Sequence, residues 1–313
     1  MRIAIAGPGA LGCLLAATLA RHDQNRDRFQ TLLLDHRPER AHALSDQGIV
    51  YRQGEQEERI ALQVSASPEA IGPADVLFAC VKSPDLSGSL DFCRPLITGE
   101  TLVVLMQNGI GHLDVEQEAG LPGTPAFMTT TEGATLLAPG MVQHNGQGET
   151  FCGFIGNAQK TQQQRLTFLC RLLSDSGLNI ALVDDILDRL WSKLLINAGI
   201  NGLSALYNRT NGQLLTSCAA RSRLKRIVAE AAEVARAAGI TIHHDPVRTT
   251  LKVCTQTAAN TSSMLQDVRN KRRTEIMAIN GAIVAHGKRL GVGTPHNEKL
   301  VQQIKTLESR YAD

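Results

Sequence analysis

Met1-Arg2-Ile3-Ala4-Ile5-Ala6-Gly7-Pro8-Gly9-Ala10-Leu11-Gly12 decides how the first half of this chain folds. Ile3 to Ala6 form a short apolar run suited to a strand buried on both faces of a parallel sheet. Gly7, Gly9 and Gly12 then give G-x-G-x-x-G, and the apolar residues Leu14, Leu15, Ala17 and Ala20 continue it as a helix. The first glycine permits a tight turn, the second lets the backbone approach a pyrophosphate, and the third lets the helix pack closely on the strand. The phosphates of a dinucleotide would rest on the free N–H groups at the helix start. Gly7, Pro8, Gly9, Ala10, Leu11 and Gly12 are therefore expected to bind a nicotinamide dinucleotide.

The next strand is expected over residues 31–34 and ends at Asp35, near the spacing of about 20 residues at which a carboxylate meets the adenosine ribose. Arg37 and Arg40 follow it. The carboxylate favours NAD and the arginines favour the extra phosphate of NADP, and the sequence leaves both open. Residues 75–81 form another buried strand running into Lys82, and residues 101–106 a further one closed by Gln107-Asn108-Gly109. Ligands of a doubly wound sheet gather beyond the carboxyl ends of its strands, so Lys82 and Asn108 are placed to meet cofactor or substrate. The plain alternatives are a surface lysine and a turn asparagine. Residues 125–131 read as a strand, the glycine-rich stretch 140–156 as hairpin strands finishing the sheet, and residues 21–30 as a polar loop.

Near Asp184-Asp185 the pattern changes to helix alone, giving domains of residues 1–185 and 186–313. Ile186, Leu187, Leu190, Trp191, Leu194, Leu195 and Ala198 form one buried apolar stripe. Lys193, Asn197 and Asn201 stand four apart on another face. Asparagine is a mediocre helix former, so two of them stacked on a lysine suggest a ligand cleft rather than a solvated face. Asn211-Gly212 falls in a loop. Ser263 with Gln266 fits a capping box, and a helix start can also receive a carboxylate. The helix begun there is expected to continue through Glu275 to Gly291.

Composition bounds the function. The formal charge is +2, from 32 basic and 30 acidic residues, which gives no reason to propose nucleic acid or an anionic membrane as partner. Seven scattered cysteines lack metal-ligand spacing and read as reduced thiols of a cytoplasmic protein. No metal site, leader or membrane span is expected.

Taken in order, Gly7-Pro8-Gly9-Ala10-Leu11-Gly12, Val81-Lys82, Gln107-Asn108-Gly109, Leu190-Trp191-Ser192-Lys193-Leu194-Leu195-Ile196-Asn197, Asn211-Gly212, Ser262-Ser263-Met264-Leu265-Gln266-Asp267 and Arg273-Thr274-Glu275 resemble the ketopantoate reductase (2-dehydropantoate 2-reductase) family over essentially the whole chain. The resemblance implies an α/β fold, with a Rossmann-type dinucleotide-binding domain followed by an all-helical C-terminal domain. It implies NADPH-dependent reduction of 2-dehydropantoate to (R)-pantoate, a step of pantothenate and coenzyme A biosynthesis. It gives Lys193 the role of catalytic lysine and Glu275 that of the carboxylate for the substrate hydroxyl. Asn108, Asn197, Asn201, Asn211 and Ser263 fall on substrate or cofactor contacts, and Lys82 on a basic cofactor-side residue. His36, not arginine, directly follows Asp35, so Arg37 is expected to hold the 2′-phosphate of NADP with Arg40 in support. Gly202 stands where proline is common, which suggests a looser helix end at Asn201. The alternatives are a reductase of the same architecture for another 2-keto acid, and a non-catalytic NADP(H)-binding sensor. A sensor would not need Lys193 together with Glu275. The expected partner is a small 2-keto acid, and assembly as a homodimer is left open.

Overall fold

Ile3, Ala4 and Ile5 have no exposed surface, as a central parallel strand requires. The computed structural model describes residues 1–23 and 29–311. Residues 24–28, within the stretch expected to loop out, lie outside the described residues. Two compact units form: Met1–Gln107 with Leu113–Ile186, and Asn108–His112 with Leu187–Asp313.

The first unit carries strands β1 (Arg2–Ala6), β2 (Gln30–Leu34), β3 (Ile49–Gln53), β4 (Gln56–Ile60), β5 (Gln63–Ser65) and β6 (Val76–Ala79). They are followed by β7 (Leu102–Leu105), β8 (Thr124–Thr130), β9 (Gly133–Ala138), β10 (Met141–Gly146), β11 (Thr150–Gly153) and β12 (Ile180–Leu182). Eight of them make one sheet in the order β12-β11-β8-β7-β6-β1-β2-β5. Ile5 pairs with Leu33 on one side and Phe78 on the other, and Phe78 with Val104. All four are buried without exposed surface and form the centre of the core. The sheet is parallel except where β8 meets β11, which run antiparallel.

The stretch 140–156 corrects the expectation that it finishes this sheet. Only β11 joins it, while β9 and β10 form a hairpin in a second sheet of order β4-β3-β10-β9. The first helix, Ala10–Asp23, touches β1 and β2 and also β3, β9 and β10. That double contact explains why it is buried from Gly12 to Leu19 and apolar all round rather than along one stripe. Within the second sheet a polar cluster is buried: His144 Nε2 lies 2.7 Å from Glu132 Oε2, and its Nδ1 lies 2.9 Å from the Tyr51 hydroxyl.

The second unit is helical. Its long helix, Ile186–Tyr207, buries Ile186, Leu190, Trp191, Leu194, Leu195 and Ala198 of the expected stripe and leaves Leu187 half-buried. The Trp191 ring meets His286 edge-on, with centroids 5.5 Å apart. Helix Cys218–Ala237 packs against Pro246–Gln256, Ala282–Leu290 and Pro295–Ser309.

Two expectations are corrected here. The helix starting at Ser263 ends at Arg269 and does not run through Glu275. Lys271 adopts a positive φ of 51°, and the chain becomes helical again only at the π-type turn Met277–Gly281, ahead of Ala282–Leu290. The backbone at the break is held from elsewhere: Arg272 N donates to Asp267 O, and Thr274 N donates to Glu308 Oε1 at 2.7 Å. Nor is there a loosened helix end at Asn201, since the helix continues to Tyr207. A Cβ on Gly202 would lie 2.6 Å from Leu300 Cδ2, so the missing side chain admits a neighbouring helix.

Candidate active site

In the first unit the glycine loop has the geometry its motif requires. Gly7 has φ +101°, a left-handed conformation that favours glycine, and a Cβ there would meet Val81 Cγ1 at 2.7 Å. A Cβ on Gly12 would lie 2.0 Å from Gly7 O, so helix and loop could not close together. Gly9 faces open space within 4 Å. The loop is thus tight beneath and open above, with the amino end of Ala10–Asp23 behind it. A pyrophosphate fits such a cradle, and Gly7, Pro8, Gly9, Ala10, Leu11 and Gly12 could hold it. Gly7 N donates to Leu34 O at 3.2 Å, which pins the loop beside the carboxyl end of β2.

Asp35 at that strand end is buried, with Arg37 N donating to its Oδ1 at 3.1 Å. Arg40 grips the carboxylate side-on, through Nη2 to Oδ1 at 2.8 Å and through Nε to Oδ2. This bears on Arg40 as a supporting phosphate contact, because its guanidinium is engaged by Asp35. Arg37 and His36 are exposed beside the pair. Lys82 follows β6 and precedes the 3-10 turn Ser83–Asp85. Gln107 steadies that loop: its Nε2 donates to Ala79 O at 2.8 Å and Val81 O at 3.0 Å.

The second unit holds Asn108, Lys193 and Glu275. Asn108 Nδ2 donates to Glu275 Oε2 at 2.9 Å, and Ile110 N donates to Ala278 O at 3.3 Å. The approach of these two segments depends on Gly109, which has φ +82° and whose Cβ would fall 2.0 Å from Ala278 O. Lys193 is partly buried on the long helix. Burial lowers its pKa to about 8, with the Glu275 charge opposing the shift. His112 is wholly buried, and burial followed by repulsion from Lys193 lowers its pKa to about 4. His112 is therefore a neutral imidazole near neutral pH.

The other expected residues are more spread out. Asn197 is half-buried on the same helix, and Asn201 is buried one turn further on, its carbonyl accepting from Ser204 Oγ at 2.9 Å. Asn211 is buried, and its Nδ2 donates to Thr257 Oγ1 at 2.9 Å. Ser263 does not cap its helix. Ser262 does, with Oγ accepting from Leu265 N at 3.1 Å and lying 2.6 Å from Ser204 Oγ. Ser263 is exposed in the first turn. His112, Gln107 and the engagement of Arg40 by Asp35 escaped sequence reasoning. Gln107 beside Asn108 and Arg40 five residues after Asp35 are the signals the sequence carries, and it carries none for His112.

Among known proteins, the model described as "Ketopantoate reductase PanE/ApbA" matches residues 3–157, and its C-terminal counterpart matches residues 185–308. A 2-dehydropantoate 2-reductase of Halobacterium salinarum is 30% identical over 309 residues, covering 98% of this chain and 99% of the relative. The structure of a PanE/ApbA family ketopantoate reductase from Ralstonia eutropha superposes with a TM-score of 0.89 at 26% identity, covering 100% of both chains. A ternary structure of D-mandelate dehydrogenase with NADH and anilino(oxo)acetate has the same TM-score of 0.89 at 28% identity, covering 100% of this chain and 99% of that one. With the glycine cradle in one unit, Lys193, Glu275 and Asn108 in the other, and both halves matched in order, this chain belongs to the ketopantoate reductase family.

Proposed function

We propose that this protein reduces 2-dehydropantoate to (R)-pantoate with NADPH, in pantothenate and coenzyme A biosynthesis. The observation that carries the reading is the hydrogen bond of 2.9 Å from Asn108 to Glu275 in the unit that holds Lys193, whose proton is labile at a pKa of about 8. The glycine loop would hold the pyrophosphate, Arg37 the 2′-phosphate, and Lys82 with Asn108 the nicotinamide side. When bound, the cofactor supplies a hydride to the keto carbon. Lys193 stabilises the negative charge growing on the carbonyl oxygen and then protonates it. Glu275, oriented by Asn108, accepts a hydrogen bond from the distal hydroxyl of the substrate. Asn197, Asn201, Asn211 and Ser263 supply uncharged donors and acceptors for the rest of the acid. Among the described residues no helix is long and apolar enough to cross a membrane. The seven cysteines are free, which fits a reducing compartment such as the cytoplasm.

Kinetics test the assignment. Lys193→Ala should lower turnover by about 100-fold or more, the range for lost general acid help, with cofactor binding unchanged. Glu275→Ala should impair turnover and substrate affinity, and least for a keto acid lacking the hydroxyl. Equal losses on ketopantoate and its deoxy analogue, or a lowered melting temperature in both variants, would reject it.

A second reading has one observation in its favour. The likeness to D-mandelate dehydrogenase bound to NADH suits an NADH-using reductase of another 2-keto acid. Initial rates across a panel of 2-keto acids with both cofactors separate the two.

A further inference from the structure

A carboxylate at the end of the second strand, beside a glycine loop, ordinarily accepts the ribose hydroxyls of NAD and repels the 2′-phosphate of NADP. Asp35 occupies that place but not that state. Its side chain has no exposed surface. Oδ1 already accepts from Arg37 N at 3.1 Å and Arg40 Nη2 at 2.8 Å, and Oδ2 accepts from Arg40 Nε. A side-on guanidinium cancels the charge and occupies the lone pairs with which a ribose diol would be read. Arg40 stands in the first turn of helix Pro38–Gln47, so the ion pair also fastens that helix to the end of β2. Gly7 N donates to Leu34 O at 3.2 Å, directly before Asp35, which places the pair alongside the cofactor cradle. Arg37 and His36 are exposed at its edge, with Glu39 exposed on the same turn as the one nearby opposing charge in sequence.

We propose that Arg40 sets the choice of nicotinamide cofactor by masking Asp35, without itself binding the 2′-phosphate. With the mask in place, Arg37 meets the phosphate without a competing anion. With the mask removed, Asp35 becomes an NAD-type carboxylate. This inference rests on the nicotinamide-nucleotide part of the proposed function and not on the identity of the keto acid.

The test is equilibrium binding of NADPH and NADH, read by nicotinamide fluorescence without any keto acid. Arg40→Ala should shift the ratio of the two dissociation constants toward NADH by about tenfold or more, the size expected when a charged hydrogen bond is lost or gained. Arg40→Gln should do the same if the alanine variant folds poorly. The double variant Asp35→Asn with Arg40→Gln decides the mechanism, because it has no carboxylate left to unmask. Its ratio should return to within about threefold of wild type, on the same energetic scale. A double variant still shifted toward NADH would show that Arg40 touches the phosphate and would overturn the masking role. Equal weakening of both cofactors in the single variants, or no change, would overturn it as well. A wild-type protein that binds neither cofactor would instead sink the nicotinamide reading itself.

Discussion

The fold holds the Lys193 ammonium near its titration point. Burial brings its pKa from 10.5 to about 8, so the ammonium is still the major form at neutral pH. If it is the general acid, kcat/KM should fall tenfold per pH unit above about 8, which initial rates from pH 6 to 10 will show. The same shift has a sign for stability. Between about 8 and 10.5 the unfolded chain binds more protons at this site than the folded one, so its contribution rises with pH across that window. His112 repeats the logic at acid pH. Its pKa is lowered from 6.5 to about 4, so the unfolded chain takes up the proton first and stability falls as pH drops through that interval. Melting temperatures from pH 4 to 7 should show this loss, and His112→Gln should flatten it. A variant as acid-sensitive as wild type would refute the role given to His112. Lys193 was legible because its helix repeats polar residues on one face. His112 was not, because its surroundings come from Lys193, distant in sequence.

At the scale of elements, what sequence periodicity could show is separated from what it could not. The first strand, its glycine turn and the all-apolar helix behind it were readable because each is a local pattern. The second sheet was not, since β4 (Gln56–Ile60) is mostly polar and its hairpin with β3 pairs with β10 across a long stretch of chain. The break before Glu275 was equally hidden. Residues 272–276 contain no proline or glycine, and the bond that fixes them comes from Glu308. The Ser262-Ser263 pair turns this into an experiment. Ser262→Ala should destabilise by about 1 kcal/mol, the usual cost of a lost N-cap. Ser263→Ala should leave the melting temperature unchanged and affect only the Michaelis constant for substrate. A loss of stability at Ser263, with Ser262 tolerant, would reverse the assignment.

The whole molecule is less separable than its sequence pattern suggests. Alternating strands and helices followed by helices alone imply one change of domain along the chain. In space, the five residues Asn108–His112 belong with the second unit although they leave and re-enter the first. The consequence concerns inheritance and recombination. A chimera that takes residues 187–313 from a relative also replaces the partner of Asn108, and with it the backbone that Gly109 was shaped to meet. Such a single-crossover hybrid should fold yet turn over poorly, and grafting the donor's five-residue segment as well should restore its rate. The segment and the helical half therefore have to be passed on together, as one module written in two places.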